Sequence, residues 1–417
     1  MNYTGKFVLA PMVRSGELPT RLLALRHGAD LVWSPEIVDK KLLTCTRSYN
    51  SKLNTTEFRE PNGRIALSTY KPSEAGKLIF QMGSSSPELA VKAGLMVIND
   101  VDGIDLNCGC PKNFSVHSGM GAALLSTPTL LCDILKSLVQ KVGDPNNKPI
   151  SCKIRLLGDL PSTLELVEQI CQTGIKNLTL HCRTRSMRNR EEPLHDYVPE
   201  IIKITKKYNI SFIINGNLRN RLDFFELQQR YGPEVGGMVA EGAEANPSVF
   251  SINPVPWNEI ILEFLQICFK FENHPSNTKY ILLNQIPSKS KYYQKFARMK
   301  TNLDMLNLAK ELQVDKDEPL NGKIKFRHLQ KERLQTIEQY SAWKKEVISK
   351  LSQDIENVSL GPIDFTKEFS DVGVESSEET VESKSHVTDT NTSTTKITTK
   401  RRLSLDNTLP HKTLKST

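Results

Sequence analysis

The stretch VDGIDLNCGCPKNFSVHSGMGAALL, residues 101–125, sets the reading of the whole chain. It opens as an apolar run that ends on Asn107. Cys108 and Cys110 follow one residue apart, then Pro111 and a glycine-rich loop. The run is apolar through its middle rather than alternating, the pattern of a strand buried on both faces of a parallel sheet. Working outward, the same pattern predicts strands at 6–12, 31–38, 77–84, 150–156, 177–183, 211–217 and 236–242. Between them lie helical stretches at 17–28, 86–100, 126–143 and 161–174; Ser86-Pro87 is an N-cap and first-turn pair. Eight strands alternating with helices over roughly 245 residues is the count and length of a (β/α)8 barrel, an α/β fold. Residues 41–76 are longer and more polar than a simple crossover, so an added excursion is expected there.

Polar or kinked residues recur at the C-terminal ends of these strands: Pro11-Met12, Gln81, Asn107 with Cys110, Lys153 with Arg155, His181, Asn215-Gly216-Asn217, and Ala240-Glu241-Gly242. In a barrel those ends converge on one mouth, where active sites are built. After Pro256 the spacing turns helical, at 258–272, 291–313 and 326–351. From about 366 the chain is Ser/Thr/Glu/Asp-rich with few large apolar residues, and disorder is expected. KRRLS at 400–404 is read as a short basic cluster of such a tail.

The chain has 417 residues, 55 Lys+Arg against 47 Asp+Glu, and a formal net charge of +8, which permits a polyanionic partner. Neither a targeting leader nor an apolar run near ~18 residues is evident, so no membrane span is expected. The eight cysteines are scattered without the C-x-x-C pairing of a zinc site, so no metal is expected. An intracellular, reduced protein follows, cytoplasmic with the nucleus as a second location, and monomeric.

Gly119-Met120-Gly121 lacks the third glycine of a dinucleotide fingerprint and follows a cysteine-proline loop rather than a strand, so a Rossmann reading is rejected. A barrel carrying redox chemistry more often holds a flavin at its mouth. Backbone amides after the seventh and eighth strands, at 215–217 and 240–243, would take its phosphate. Lys153 would stabilise the reduced ring, and the Gln81 amide would read its pyrimidine edge.

The run DLNCGCPK followed by GMGAALL, with APMV, FQMGSS, CKIR, LHCRTR, ING and NPSVF, resembles the tRNA-dihydrouridine synthases, most closely their eukaryotic type-2 branch. The resemblance implies an FMN-containing barrel over 1–252 and a helical tRNA-binding domain over 253–360. The Ser/Thr-rich disordered tail then covers 361–417. It also implies NADPH as reductant, tRNA as substrate, and reduction of the D-loop uridine at position 20. By the same resemblance Cys110 is the catalytic acid. Pro11, Met12, Val13, Gln81, Lys153, His181, Asn215, Gly216, Asn217, Ala240 and Glu241 fall on the flavin site. At 182, 217 and 241 the chain carries Cys, Asn and Glu where the family commonly has Gly, Gly and Arg.

The chemistry supports Cys110. Reducing an alkene conjugated to a carbonyl needs hydride on one carbon and a proton on the next, and a thiol with a pKa near ~8.5 is still protonated at neutral pH. Pro111 would fix the backbone that presents it. Cys108 is read as structural.

For the RNA side, Asn107, Lys112, Arg183 and Arg185 lie near the mouth. Lys291, Lys295 and Arg298 belong to KSKYYQKFARMK (289–300), where cations alternate with Tyr292, Tyr293 and Phe296. Cations for phosphates with aromatics for stacking compose an RNA surface; the same aromatics could instead serve a helical core. A flavin reductase of a free pyrimidine and a non-catalytic RNA-binding barrel are the competing readings.

Overall fold

The computed structural model describes residues 1–315. The helix expected at 326–351, the disordered tail and the KRRLS cluster lie outside the described residues.

Eight parallel strands close into a barrel. They are β1 (Phe7–Leu9), β2 (Leu31–Trp33), β3 (Leu78–Gly83), β4 (Gly103–Cys108), β5 (Ile150–Leu156), β6 (Asn177–Thr184), β7 (Ser211–Asn215) and β8 (Gly236–Val239). Each pairs with its sequence neighbour, and β1 also pairs with β8 through Phe7↔Gly237, Val8↔Met238 and Leu9↔Val239, which seals the cylinder. Closure leaves no free edge, and wrapping helices cover the outer face. This is why the strand sequences are apolar through their middles. Phe7, Leu9, Phe80, Ile104, Leu106, Ile154 and Leu180 are fully buried in the main core.

The run 31–38 departs from a single strand. The β2–β3 ladder has two register pairs, Val32↔Leu78 and Trp33↔Ile79, and then breaks at Ser34-Pro35-Glu36. Proline has no N–H to offer the ladder. The Ser34 hydroxyl replaces a rung by accepting from the Gln81 N–H at 2.9 Å, and pairing on β3 resumes at Ile37↔Met82. The break turns Glu36 out at the C-terminal end of the barrel.

The excursion expected at 41–76 contains a three-stranded antiparallel sheet of Thr46–Asn50, Thr55–Arg59 and Ile65–Thr69. Arg21 ties it to the first helix, α1 (Leu18–Arg26). Its buried guanidinium donates to Glu74 Oε1 at 2.7 Å, Gly16 O at 2.9 Å and Ser68 O at 2.7 Å.

The crossovers that follow carry α2 (Pro87–Val97), α3 (Pro128–Leu138), α4 (Leu160–Cys171), α5 (Val198–Lys207) and α6 (Arg221–Tyr231), with the short α7 (Glu241–Ala245) after β8. Ser86, Asp159 and Asn220 side chains accept from free N–H groups at the starts of α2, α4 and α6, as N-caps should.

Among the described residues four helices follow: α8 (Trp257–Lys270), α9 (Pro275–Gln285), α10 (Lys291–Arg298) and α11 (Asn302–Val314). The single helix read at 291–313 is two, because the chain is extended at Met299 and restarts behind Thr301, whose side chain accepts from the Asp304 N–H. These helices share an apolar cluster with the barrel: Leu18, Leu22 and Leu23 of α1 pack with Trp257, Ile260, Ile261, Phe264 and Leu265 of α8.

Candidate active site

The loop that carries Cys110 is held from several sides. Asn107, the penultimate residue of β4, accepts on Oδ1 from the N–H of Gly109 at 3.0 Å and of Cys110 at 3.1 Å. The Cys110 carbonyl accepts from the Ala122 N–H at 3.0 Å. Arg155 donates through Nε to Gly109 O and through Nη1 to Thr184 O, each at 2.9 Å, which pins the loop to the end of β6. Gly121 has φ +58°, and a Cβ there would come within 2.7 Å of the Cys110 carbonyl, so glycine is required.

Of the eight cysteines, Cys110 alone is not buried. Burial of its surroundings, then the neighbouring charge of Glu36, pushes its thiol above the usual range. The thiol is therefore protonated at neutral pH. Cys108 is buried with Sγ 3.7 Å from Leu106 O, turned into the core, and forms no disulfide.

Glu36 is the site residue that sequence reasoning missed. Its carboxyl faces the Asn107 amide and the Cys110 thiol, and burial raises it to about 7. A clue was available in the sequence, since β2 was the one strand with no polar residue assigned to its mouth end.

Below the mouth, Asp105 is fully buried and accepts from Gln81 Nε2 at 2.8 Å and Ser151 Oγ at 2.7 Å. Desolvation raises its carboxyl to about 6. Lys153, half-buried on the adjacent strand, is pushed down to about 8 by desolvation first and then by the Arg155 charge, while Asp105 opposes both. His181 is held neutral, lowered to about 2 by burial and by Lys153, Arg155 and Arg183. Arg183 Nη1 lies 3.1 Å from His181 Nε2. Since the guanidinium can only donate, Nε2 accepts and Nδ1 carries the ring proton.

At the end of β7 the backbone takes positive-φ conformations. Gly216 has φ +124°, and a Cβ there would sit 3.4 Å from His181 Cδ2 and 3.5 Å from Pro193 Cβ, so a side chain would fill the space beside His181. Asn217 is left-handed at φ +62°, and its amide donates to Glu192 Oε2 at 3.1 Å. Asn215 Nδ2 donates to Met238 O at 2.9 Å, fixing β7 against β8. Ala240 is half-buried and Glu241 exposed, so the carboxylate points to solvent rather than into the cradle. Pro11 and Met12 are half-buried at the rim, and Val13 is 56% exposed. The structure thus brings Gln81, Lys153, His181 and Gly216 to one mouth with Cys110. A buried amide, a cation and a Cβ-free cradle suit a phosphorylated flavin.

The dihydrouridine synthase family model matches residues 8–349. This chain belongs to the dihydrouridine synthase family. It is 52% identical over 329 residues to the tRNA-dihydrouridine(20) synthase [NAD(P)+] of Saccharomyces cerevisiae, covering 76% of this chain and 86% of that one. To the protein of the same description from Schizosaccharomyces pombe it is 49% identical over 290 residues, covering 69% of this chain and 60% of that one. The tRNA-dihydrouridine(20a/20b) synthase [NAD(P)+] of S. cerevisiae is more distant, 28% identical over 307 residues, 72% of this chain and 78% of that one.

For a dihydrouridine synthase the cationic side chains around the mouth matter next, and the structure separates them. Lys112 and Arg185 are exposed beside the Cys110 loop and on the β6 loop. Arg183, read as an RNA contact, is instead buried. It donates to Glu191 O at 2.7 Å and Asn189 O at 3.0 Å, and so shapes the loop rather than facing a phosphate. On α10, Lys291, Lys295 and Arg298 are exposed, with Lys291 2.8 Å from Asp315. Tyr292 and Phe296 are buried in the helical cluster and offer no stacking face; only Tyr293 of the three aromatics is partly open. Their i, i+4 spacing marks the inner side of the helix. Among the described residues no group of three or more His, Cys, Asp or Glu could hold a metal, and no helix is long and apolar enough to cross a membrane.

Proposed function

We propose that this chain reduces uridine to 5,6-dihydrouridine at position 20 of the tRNA D-loop, with FMN as the flavin and NADPH as the reductant. The observation that carries the reading is Cys110: one accessible thiol, held protonated at the mouth where the flavin-suited residues converge. The two relatives described as tRNA-dihydrouridine(20) synthases support the position and the nicotinamide.

Saturating the C5=C6 bond of uracil needs hydride at C6 and a proton at C5. When bound, the reduced flavin supplies the hydride. Cys110 supplies the proton from Sγ and is left as a thiolate, which water reprotonates. Arg155 and Asn107 hold the loop so that Sγ faces the opening. Gln81, fixed by Asp105, Lys153 and neutral His181 would hold the ring. Pro11, Met12 and Val13 would line its rim, and Asn215, Gly216, Asn217, Ala240 and Glu241 would take the phosphate by backbone amides. Lys112, Arg185, Lys291, Lys295 and Arg298 are solvent-facing cations suited to tRNA phosphates.

The test is site-resolved dihydrouridine mapping on tRNA from cells lacking this protein, rescued with wild type or Cys110→Ala. Restoration at position 20 by wild type only is expected. Restoration by both removes Cys110 as the acid. Restoration by neither, from a chain that reduces free uracil or orotate, establishes the free-pyrimidine reading instead.

A further inference from the structure

Groups of opposite effect surround the Cys110 thiol. Lys153 and Arg155 face it from β5, and cations beside a thiol favour thiolate. Its own loop adds the Lys112 backbone and the Ser115 hydroxyl, which pull the same way. A proton donor needs the opposite. Burial resists ionisation first, and the one charged group facing Cys110 from another element that acts the same way is Glu36, delivered by the break after β2.

Glu36 is held by more than chance proximity. Gly83, the last residue of β3, lacks the Cβ that would come within 2.6 Å of Glu36 Oε1. Oε1 is buried without a hydrogen-bond partner. Unpaired buried polar atoms are costly, and they concentrate where a site completes itself on binding. The Asn107 amide faces the same carboxyl while its Oδ1 holds the Cys110 N–H at 3.1 Å. Carboxyl, amide and thiol form one constellation across β2, β3 and β4.

We propose that Glu36 is a positioning residue for Cys110: its carboxyl, seated in the space left by Gly83, orients the thiol through Asn107 and keeps it in the acid form against the cations of β5. The proposal rests on the function proposed above for its meaning in turnover, but not for its test.

The test is peptide-resolved alkylation of Cys110 by iodoacetamide as a function of pH, on the full chain. Wild type, Glu36→Gln and Glu36→Asp are compared. In Glu36→Gln the alkylation midpoint should fall by about one pH unit, so that alkylation at pH 7.5 runs about tenfold faster. Glu36→Asp should keep the wild-type midpoint. An unchanged or raised midpoint in Glu36→Gln overturns the proposal. If Glu36→Gln loses cooperative unfolding, Gly83→Ala decides, because its methyl displaces the carboxyl while leaving the charge in the chain. A lowered midpoint supports the proposal and an unchanged one overturns it. In single-turnover tRNA reduction the alkaline limb of the pH profile should move down with the midpoint in Glu36→Gln. A chain that makes no dihydrouridine would sink the proposed function while leaving the alkylation result to judge Glu36.

Discussion

Arg155→Met tests whether the loop geometry around Cys110 governs the rate. Arg155 is 7% exposed and donates to two carbonyls, Gly109 O and Thr184 O, each at 2.9 Å. Methionine keeps the apolar stem and removes both bonds. Hydrogen bonds from a charged donor contribute about 1.5–3 kcal/mol each, so about 3–6 kcal/mol is at stake. At a few degrees per kcal/mol for a chain of this size, Tm should fall by roughly 5–15 °C. Gly109 is the immediate neighbour of the reacting cysteine, and a displacement of ~1 Å at a reacting centre costs about 100-fold in rate. Thermal unfolding by circular dichroism reads the first effect, and single-turnover formation of dihydrouridine at a temperature well below both Tm values reads the second. If Tm falls as expected while the single-turnover rate stays within about twofold of wild type, the reasoning fails. Arg155 then only stabilises, and the thiol is positioned without it, through Asn107.

Lys153 is pushed down from 10.5 to about 8, so between those values the unfolded chain holds a proton the folded chain has released, and stability rises with pH. Below pH 8 the half-buried cation costs up to about 3 kcal/mol. Lys153→Met should therefore raise the urea midpoint of the flavin-free chain at pH 7, and should flatten its rise from pH 8 to 10.5. His181 is lowered from 6.5 to about 2, so the unfolded chain alone takes its proton in that window and stability falls as pH drops. Glu36 and Asp105, both raised, contribute in the opposite direction, so His181→Gln should leave a chain less sensitive to acid between pH 6.5 and 4.5, measured by the same urea midpoints. Arg21→Met leaves Glu74 buried without its partner, which should cost about 3–5 kcal/mol, read by chemical denaturation.

All eight barrel strands were legible because a strand buried on both faces writes a continuous apolar run. The exception shows the limit of that signal. In LVWSPEIV the apolar residues on both sides of Ser34-Pro35-Glu36 read as one strand, and the reading passed over the residue that the break delivers to the mouth. Proximity of Glu36 to Cys110 arises from the side-by-side pairing of β2, β3 and β4, which no local pattern encodes. Arg183 was misplaced for a related reason. Its loop is rich in arginines, and only the fold shows that this one turns inward to hold its own backbone. Tyr292 and Phe296 carried the helical spacing of a core all along, and their basic neighbours drew attention from it. The helix break between α10 and α11 was missed because Met299 and Lys300 suit a helix as well as an extended link.

The shared packing of α1 with α8 bears on how this enzyme can be taken apart. Leu18, Leu22 and Leu23 sit on the first helix of the barrel, yet the rest of their buried cluster begins at Trp257. A chain cut behind the last strand would expose these leucines and the excursion's anchor helix together. Such a fragment would be insoluble rather than a minimal catalytic module. Ribosomes would also release the barrel incomplete until the later helices emerge, so nascent chains of this protein should depend on chaperones longer than the position of its last strand suggests.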